Sequence, residues 1–166
     1  MSKVICMMGL PRSGKSTVAH ELWEELGAPI VNRDSIRLAL HGQRYQKEAE
    51  AMVKVVAQIM VRALFHAGHK TVIVDETNLK RATRDFWRDG EWKTEFLHVK
   101  TSKELCYMRA GAELDVQIVP VIERMAEYAE PLGEEEQAVD PGLVLLVGIE
   151  AALYSAENDV PTKGQA

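Results

Sequence analysis

Residues Gly9-Leu10-Pro11-Arg12-Ser13-Gly14-Lys15-Ser16 match the pattern G-x-x-x-x-G-K-[ST] at every fixed position. Glycines at its two ends let backbone N–H groups turn inward around phosphate oxygens, and a helix N-terminus just beyond adds partial positive charge. On that pattern Gly9, Arg12, Ser13 and Gly14 form the cradle. Lys15 reaches the β- and γ-phosphates of a nucleotide, Ser16 ligates Mg²⁺, and Thr17 touches the α-phosphate. Arg12 is either a further phosphate contact or a solvent-facing loop arginine. A chance glycine turn would not sit directly between an apolar strand and a helix, as this segment does.

Two further segments carry chemistry. Asn32-Arg33-Asp34-Ser35-Ile36-Arg37 follows a short apolar run, and the carboxyl ends of strands line the ligand crevice of an α/β sheet. Asp34 is then placed to accept a hydroxyl proton, and Arg37, one helical turn on, to hold an anionic group of the acceptor. Equally, Asp34 caps a helix and Arg37 is a surface arginine. Val72-Ile73-Val74-Asp75 ends another strand with an acid suited to Mg²⁺ through water, with Glu76 competing for the role. Thr77 and Asn78 either shape the crevice toward substrate or cap the next helix.

These residues need a scaffold that brings strand ends together. Apolar runs at 3–8 and 71–75 read as buried strands, 29–32 and 93–99 as further short strands, and an apolar stretch follows at 143–149. Between them, helical spacing predicts helices over 15–26, 35–40, 47–66, 80–89, 102–110 and 118–129. In the longest, Met52, Val53, Val56, Ile59, Met60, Ala63 and Leu64 mark one core face. Strands alternating with helices, together with the phosphate loop, predict an α/β fold: a P-loop NTPase, a three-layer sandwich with a parallel sheet covered by helices on both faces. One domain over 1–156 leaves 157–166 as a flexible polar tail.

Composition narrows the function. The 166 residues carry a net charge of −5 and are 6% aromatic, which suits neither a general nucleic-acid coat nor a base-stacking surface. The charge is divided along the chain, +5 over residues 30–110 and −10 over 111–166, so phosphate-bearing partners should meet the middle. No apolar run is long enough to span a membrane and no export signal is visible, so a cytoplasmic protein without membrane contact is expected. Cys6 and Cys106 make no disulfide framework, and His66 and His69 lack the partners of a zinc site. Glu134-Glu135-Glu136 reads as a solvated face. Lys80, Arg81, Arg84 and Arg88 read either as another solvated face or as a track for a nucleic-acid backbone. With no guanine-reading Asn-Lys-x-Asp segment, a small P-loop domain of this kind points to a kinase.

Taken together, GLPRSGKST, VNRDSIR, VIVDETNL and Ile118 to Pro131 (IVPVIERMAEYAEP) resemble the kinase domain of phage and animal polynucleotide kinases and their related P-loop kinases, over about residues 3–140. The resemblance implies an ATP- and Mg²⁺-dependent transfer to a nucleic-acid hydroxyl, a polynucleotide 5′-hydroxyl first and DNA before RNA. It implies Asp34 as general base and Arg37 on a phosphate beside the accepting hydroxyl. Lys15 and Ser16 would serve ATP and Mg²⁺, and Arg109, at the opening of a small helical lid over about 110–118, would steady the transferring group. The hydroxymethyl group of 5-hydroxymethyluracil in phage DNA is the alternative acceptor, which would place the enzyme in host cytoplasm. A small-molecule or nucleoside kinase and a nucleotide-sensing module without transfer chemistry are further alternatives. No stable protein partner is implied. One departure stands out: where the family's lid carries a second arginine, this chain reads Ala110-Gly-Ala-Glu-Leu-Asp115, and either Arg12 or Arg124 must compensate or the substrate is presented differently.

Overall fold

The computed structural model describes residues 1–88 and 90–140. Four short strands form one parallel sheet: β1 (Lys3–Met8), β2 (Ile30–Asn32), β3 (Thr71–Asp75) and β4 (Lys93–His98), in the order β2-β3-β1-β4. The central β1 pairs with β3 from Lys3 opposite Thr71 and with β4 from Lys3 opposite Lys93. Side chains of a strand alternate between faces, and both faces here are buried. Val4, Cys6, Val72, Val74 and Phe96 join one core cluster; Ile5, Met7, Ile73 and Leu97 join the other. That two-sided burial is why β1 and β3 are nearly continuous apolar runs.

Helix α1 (Lys15–Leu26) covers the second face through Val18, Ala19 and Leu22, and ends at Gly27. Helix α2 (Arg33–His41) leads through a 3₁₀ turn at Lys47–Ala49 into α3 (Glu50–His66), which covers the first face. Helix α4 (Arg81–Asp85) is one turn long. Helix α5 (Lys103–Ala112) and α6 (Val119–Glu127) flank a 3₁₀ turn at Val116–Ile118. Their Cys106, Ala110 and Ile122 form a third, small cluster against Leu10 of the Gly9–Ser16 loop, which seats the lid on the phosphate side. The α/β P-loop architecture expected from the sequence is the observed one. The apolar stretch at 143–149 and the tail at 157–166 lie outside the described residues; the last described segment runs parallel to β4, Phe96 N–H donating to Gln137 C=O (2.8 Å). Among the described residues no helix is long and apolar enough to cross a membrane.

Three expectations need correction. The core face of α3 is Val53, Ala57 and Val61, while Met52, Ile59 and Met60 are exposed. An apolar stripe wider than the buried face leaves the phase of a helix undecided in sequence. The helix expected at 80–89 stops at Asp85, and the chain turns so that Trp87 is buried and its carbonyl accepts from Trp92 Nε1 (2.8 Å) and Thr94 Oγ1 (2.7 Å).

The third correction concerns charge. Arg84 and Glu136 are not on solvated faces; both are buried. Arg84 Nε and Nη2 donate to the two Glu136 carboxylate oxygens at 2.7 and 3.0 Å, and its remaining N–H groups donate to the carbonyls of Asn78, Leu79, Glu130 and Pro131. A guanidinium satisfied in this way can leave water, and it ties the chain after α6 to the segment that follows β3. Removing one partner strands the other charge. Glu136→Gln should cost about 3–5 kcal/mol in urea unfolding, against less than about 0.5 kcal/mol for Glu134→Gln; equal costs would make the pair a surface contact.

Candidate active site

The site is built from strand ends. β1 delivers the Gly9–Ser16 loop, whose shape demands glycine: φ is 150° at Gly9 and 99° at Gly14. A Cβ at Gly9 would lie 2.7 Å from the Val99 carbonyl and 2.9 Å from Ser13 Oγ. Ser13 Oγ is itself buried and without a protein partner, as suits a hydroxyl that closes a phosphate cradle. Lys15 is buried at the start of α1, and its Nζ donates to the Leu10 carbonyl (2.6 Å). Burial pulls its pKa down, while Asp75 opposes the shift. Thr17 is exposed and borders an open groove shared with Ser16, His20, Glu21 and Glu24.

Asp75, the last residue of β3, gathers the neighbouring strand ends. Its Oδ2 accepts from Ser16 Oγ at 2.8 Å and from Asn32 Nδ2 at 2.9 Å. A hydroxyl and a carboxylate side by side are hard oxygen donors, which fit Mg²⁺. Glu76 points elsewhere: it is buried against Arg33, with Oε1 2.5 Å from Nε. Between the two acids, the geometry gives the phosphate side to Asp75.

Asn32 is the residue that sequence reasoning passed over. Its Oδ1 accepts from Ser35 N–H (2.8 Å) and caps α2, while its amide group holds Asp75. The cap is therefore not Asp34, which stands in the first helical turn with its side chain 70% exposed. Arg37 donates from Nη1 to Asp34 Oδ1 (2.5 Å), and its Nε and Nη2 take both oxygens of Glu50, each at 2.7 Å. Glu50 opens α3, and its hydrogen bonds raise the Arg37 pKa while its own is lowered in return. Nothing local in the sequence marked Glu50, since its partner lies on another helix.

Asn78 is fully buried at φ 44°; its Nδ2 donates to the Met7 carbonyl (2.8 Å) and braces the end of β1, while its Oδ1 is buried without a partner among the described residues. Thr77 and Asn78 do not cap α4, whose N-cap position is Lys80. Thr77 is half-buried and holds the loop through its carbonyl, which accepts from Gly9 N–H (2.9 Å). On the lid side, Arg109 Nη1 donates to the carbonyls of Ser13 (2.9 Å) and Arg12 (3.2 Å). Arg12 itself pairs with Glu113 and with Asp115, whereas Arg124 lies exposed on α6.

Comparison with known proteins agrees with this geometry. The family model of the AAA domain matches residues 4–115, more than half of the chain, and the chain belongs to that family. Among solved structures, an unliganded sugar kinase from Janibacter sp. HTCC2649 is 21% identical with a TM-score of 0.65, covering 98% of this chain and 100% of that one. The APS kinase of Mycobacterium tuberculosis, solved with AMPPNP and APS, is 17% identical with a TM-score of 0.60, over 93% of this chain and 98% of that one. A chain of the Pnkp1/Rnl/Hen1 complex is 23% identical with a TM-score of 0.58, over 84% of this chain and 43% of that one. At such identities the likeness is one of fold, that of an α/β P-loop domain.

Burial pushes the Glu76 carboxyl up to about 7, with Arg33 opposing. Between pH 4.5 and about 7 the unfolded chain releases this proton while the folded chain keeps it. The stability contributed by the group is therefore complete below that window and lost as pH rises through it. Urea unfolding should find Glu76→Gln less destabilised, relative to the parent, at pH 8 than at pH 5, by about 2 kcal/mol. A difference independent of pH would remove this assignment.

Proposed function

We propose that this member of the AAA-domain family is an ATP- and Mg²⁺-dependent kinase that transfers the γ-phosphoryl group to a hydroxyl of a nucleic acid, a 5′-hydroxyl end first and DNA before RNA. The observation that carries the reading is the hydrogen-bonded string Ser16–Asp75–Asn32. Through it the donor loop and the N-terminus of α2, which bears Asp34, are held by one carboxylate. The acceptor hydroxyl gives its proton to Asp34 as its oxygen bonds to the γ-phosphorus; the bond to the β,γ-bridging oxygen breaks, and ADP leaves. Ser16 and Asp75 would hold Mg²⁺, which would supply charge neutralisation to the polyphosphate. Lys15 adds a cation at the same loop, and Arg109 steadies the loop that carries the transferring group. Arg37 receives the phosphate beside the accepting hydroxyl, exchanging the exposed Asp34 carboxylate for it.

One observation favours a second reading, transfer to a small-molecule alcohol or nucleoside. Arg33, Arg37 and Arg44 are each already paired with a carboxylate, which leaves little free positive charge for a polyanion. Transfer of label from [γ-³²P]ATP distinguishes the readings. Label is expected on a 5′-hydroxyl oligonucleotide and absent from the same strand with a 5′-phosphate. Label only on a 5′-phosphorylated strand containing hydroxymethyluracil would move the acceptor to the base, and label only on small alcohols would establish the second reading. Wild-type protein that binds ATP and labels nothing would be a nucleotide-binding module. Asp34→Asn should lower the transfer rate about 10²- to 10⁴-fold while nucleotide affinity stays within about threefold.

A further inference from the structure

A lid that closes over a triphosphate is expected to bring positive charge, yet this one brings Glu113 and Asp115. Both carboxylates turn to the phosphate loop. Arg12 Nη1 donates to Glu113 Oε2 and Nη2 donates to Asp115 Oδ2, the latter at 2.5 Å. Asp115 Oδ2 also accepts from Arg44 Nη1 at 2.8 Å, so one lid carboxylate touches both the donor loop and the segment that follows α2. The Arg12 backbone is left-handed, at φ 65°. A residue with a Cβ persists there only where its surroundings hold it. Its surroundings do: Arg109 bonds its carbonyl, and the lid acids bond its side chain.

We infer that Glu113 and Asp115 are positioning residues for the polyphosphate, acting through Arg12. They hold its guanidinium at the loop, so that the cation facing the phosphates comes from the loop and the lid orients it. The inference rests on the loop's reading as a phosphate donor site and not on the identity of the acceptor. A guanidinium has five N–H donors; with one engaged by each lid acid, three remain for phosphate oxygens. The usual charges are exchanged between the two elements: the loop carries the arginine, and the lid carries its counter-ions.

The idea makes a prediction of opposite sign to plain electrostatics. Removing two carboxylates beside a polyanion should tighten its binding by Coulomb's law alone. Positioning requires the reverse, and only while Arg12 is present. The measurement is the Kd of the full chain for Mg²⁺–AMPPNP by titration calorimetry, over a double-mutant cycle. Arg12→Ala should weaken binding about tenfold. Glu113→Gln with Asp115→Asn should weaken it about three- to tenfold in the parent but tighten it or leave it unchanged in the Arg12→Ala background. Asp115→Glu, which keeps the charge, should stay within about twofold of the parent. If the double replacement loses its fold by circular dichroism, Asp115→Asn alone carries the same comparison. Tighter binding in both backgrounds would overturn the inference in favour of simple repulsion. Equal weakening in both would make the acids structural supports of the lid. The cycle is read in nucleotide binding alone, so a silent acceptor panel would overturn the proposed transfer and leave this comparison standing.

Discussion

A single carboxylate oxygen, Asp75 Oδ2, joins what three strand ends deliver. It accepts one hydrogen bond from Ser16, at the start of α1 behind β1, and one from Asn32, at the end of β2. Both bonds run to a carboxylate, which makes them stronger than bonds between neutral groups. Because Asn32 also caps α2, the position of Asp34 and Arg37 follows from where β3 ends. The phosphate loop and the N-terminus of α2 therefore share one reference, as the transfer we propose between two bound groups requires.

Around that reference the crevice is organised by charge compensation rather than by an excess of one sign. Arg33 faces Glu76, Arg37 faces Glu50 and Asp34, and Arg12 and Arg44 face Asp115. Paired guanidinium groups keep their orientation, since their long side chains have already lost rotamer freedom. The pairs differ in burial: Glu76 is nearly inaccessible, whereas the Asp34 side chain is largely in water. An incoming phosphate competes easily with an exposed carboxylate and hardly at all with a buried one. This separates Arg37, whose contact with Asp34 is exchangeable, from Arg33, which is structural.

Distant from the crevice, Arg84 performs a different task with the same chemistry. Its six hydrogen bonds collect four carbonyls and both oxygens of Glu136, closing the chain after α6 onto the segment between β3 and α4. The same segment includes Asn78, which braces β1 just before the phosphate loop. The floor of the site and the end of the described chain are thus linked through buried polar contacts, where each group is costly to leave unpaired.

How much was legible in the sequence follows from how local each signal is. The phosphate loop is a contiguous pattern whose glycines are dictated by the backbone they must adopt, and the parallel sheet announces itself because β1 and β3, buried on both faces, are nearly continuous apolar runs. Asp34 and Asp75 could be placed near the crevice because strand ends converge there in any sheet of this kind, whereas Arg109 was placed by its match to the lid arginine of the family the chain resembles. What the amino-acid order left open was every assignment that depends on two distant partners meeting. Arg84 and Glu136 are 52 residues apart, and Arg12 and Asp115 are 103 apart. Each looks like a surface charge in its own neighbourhood, and only packing removes the water that would have kept it one. The same is true of α3, whose apolar residues span more of the helix than the sheet can cover. Composition made a helix there, and tertiary contact chose which side was core.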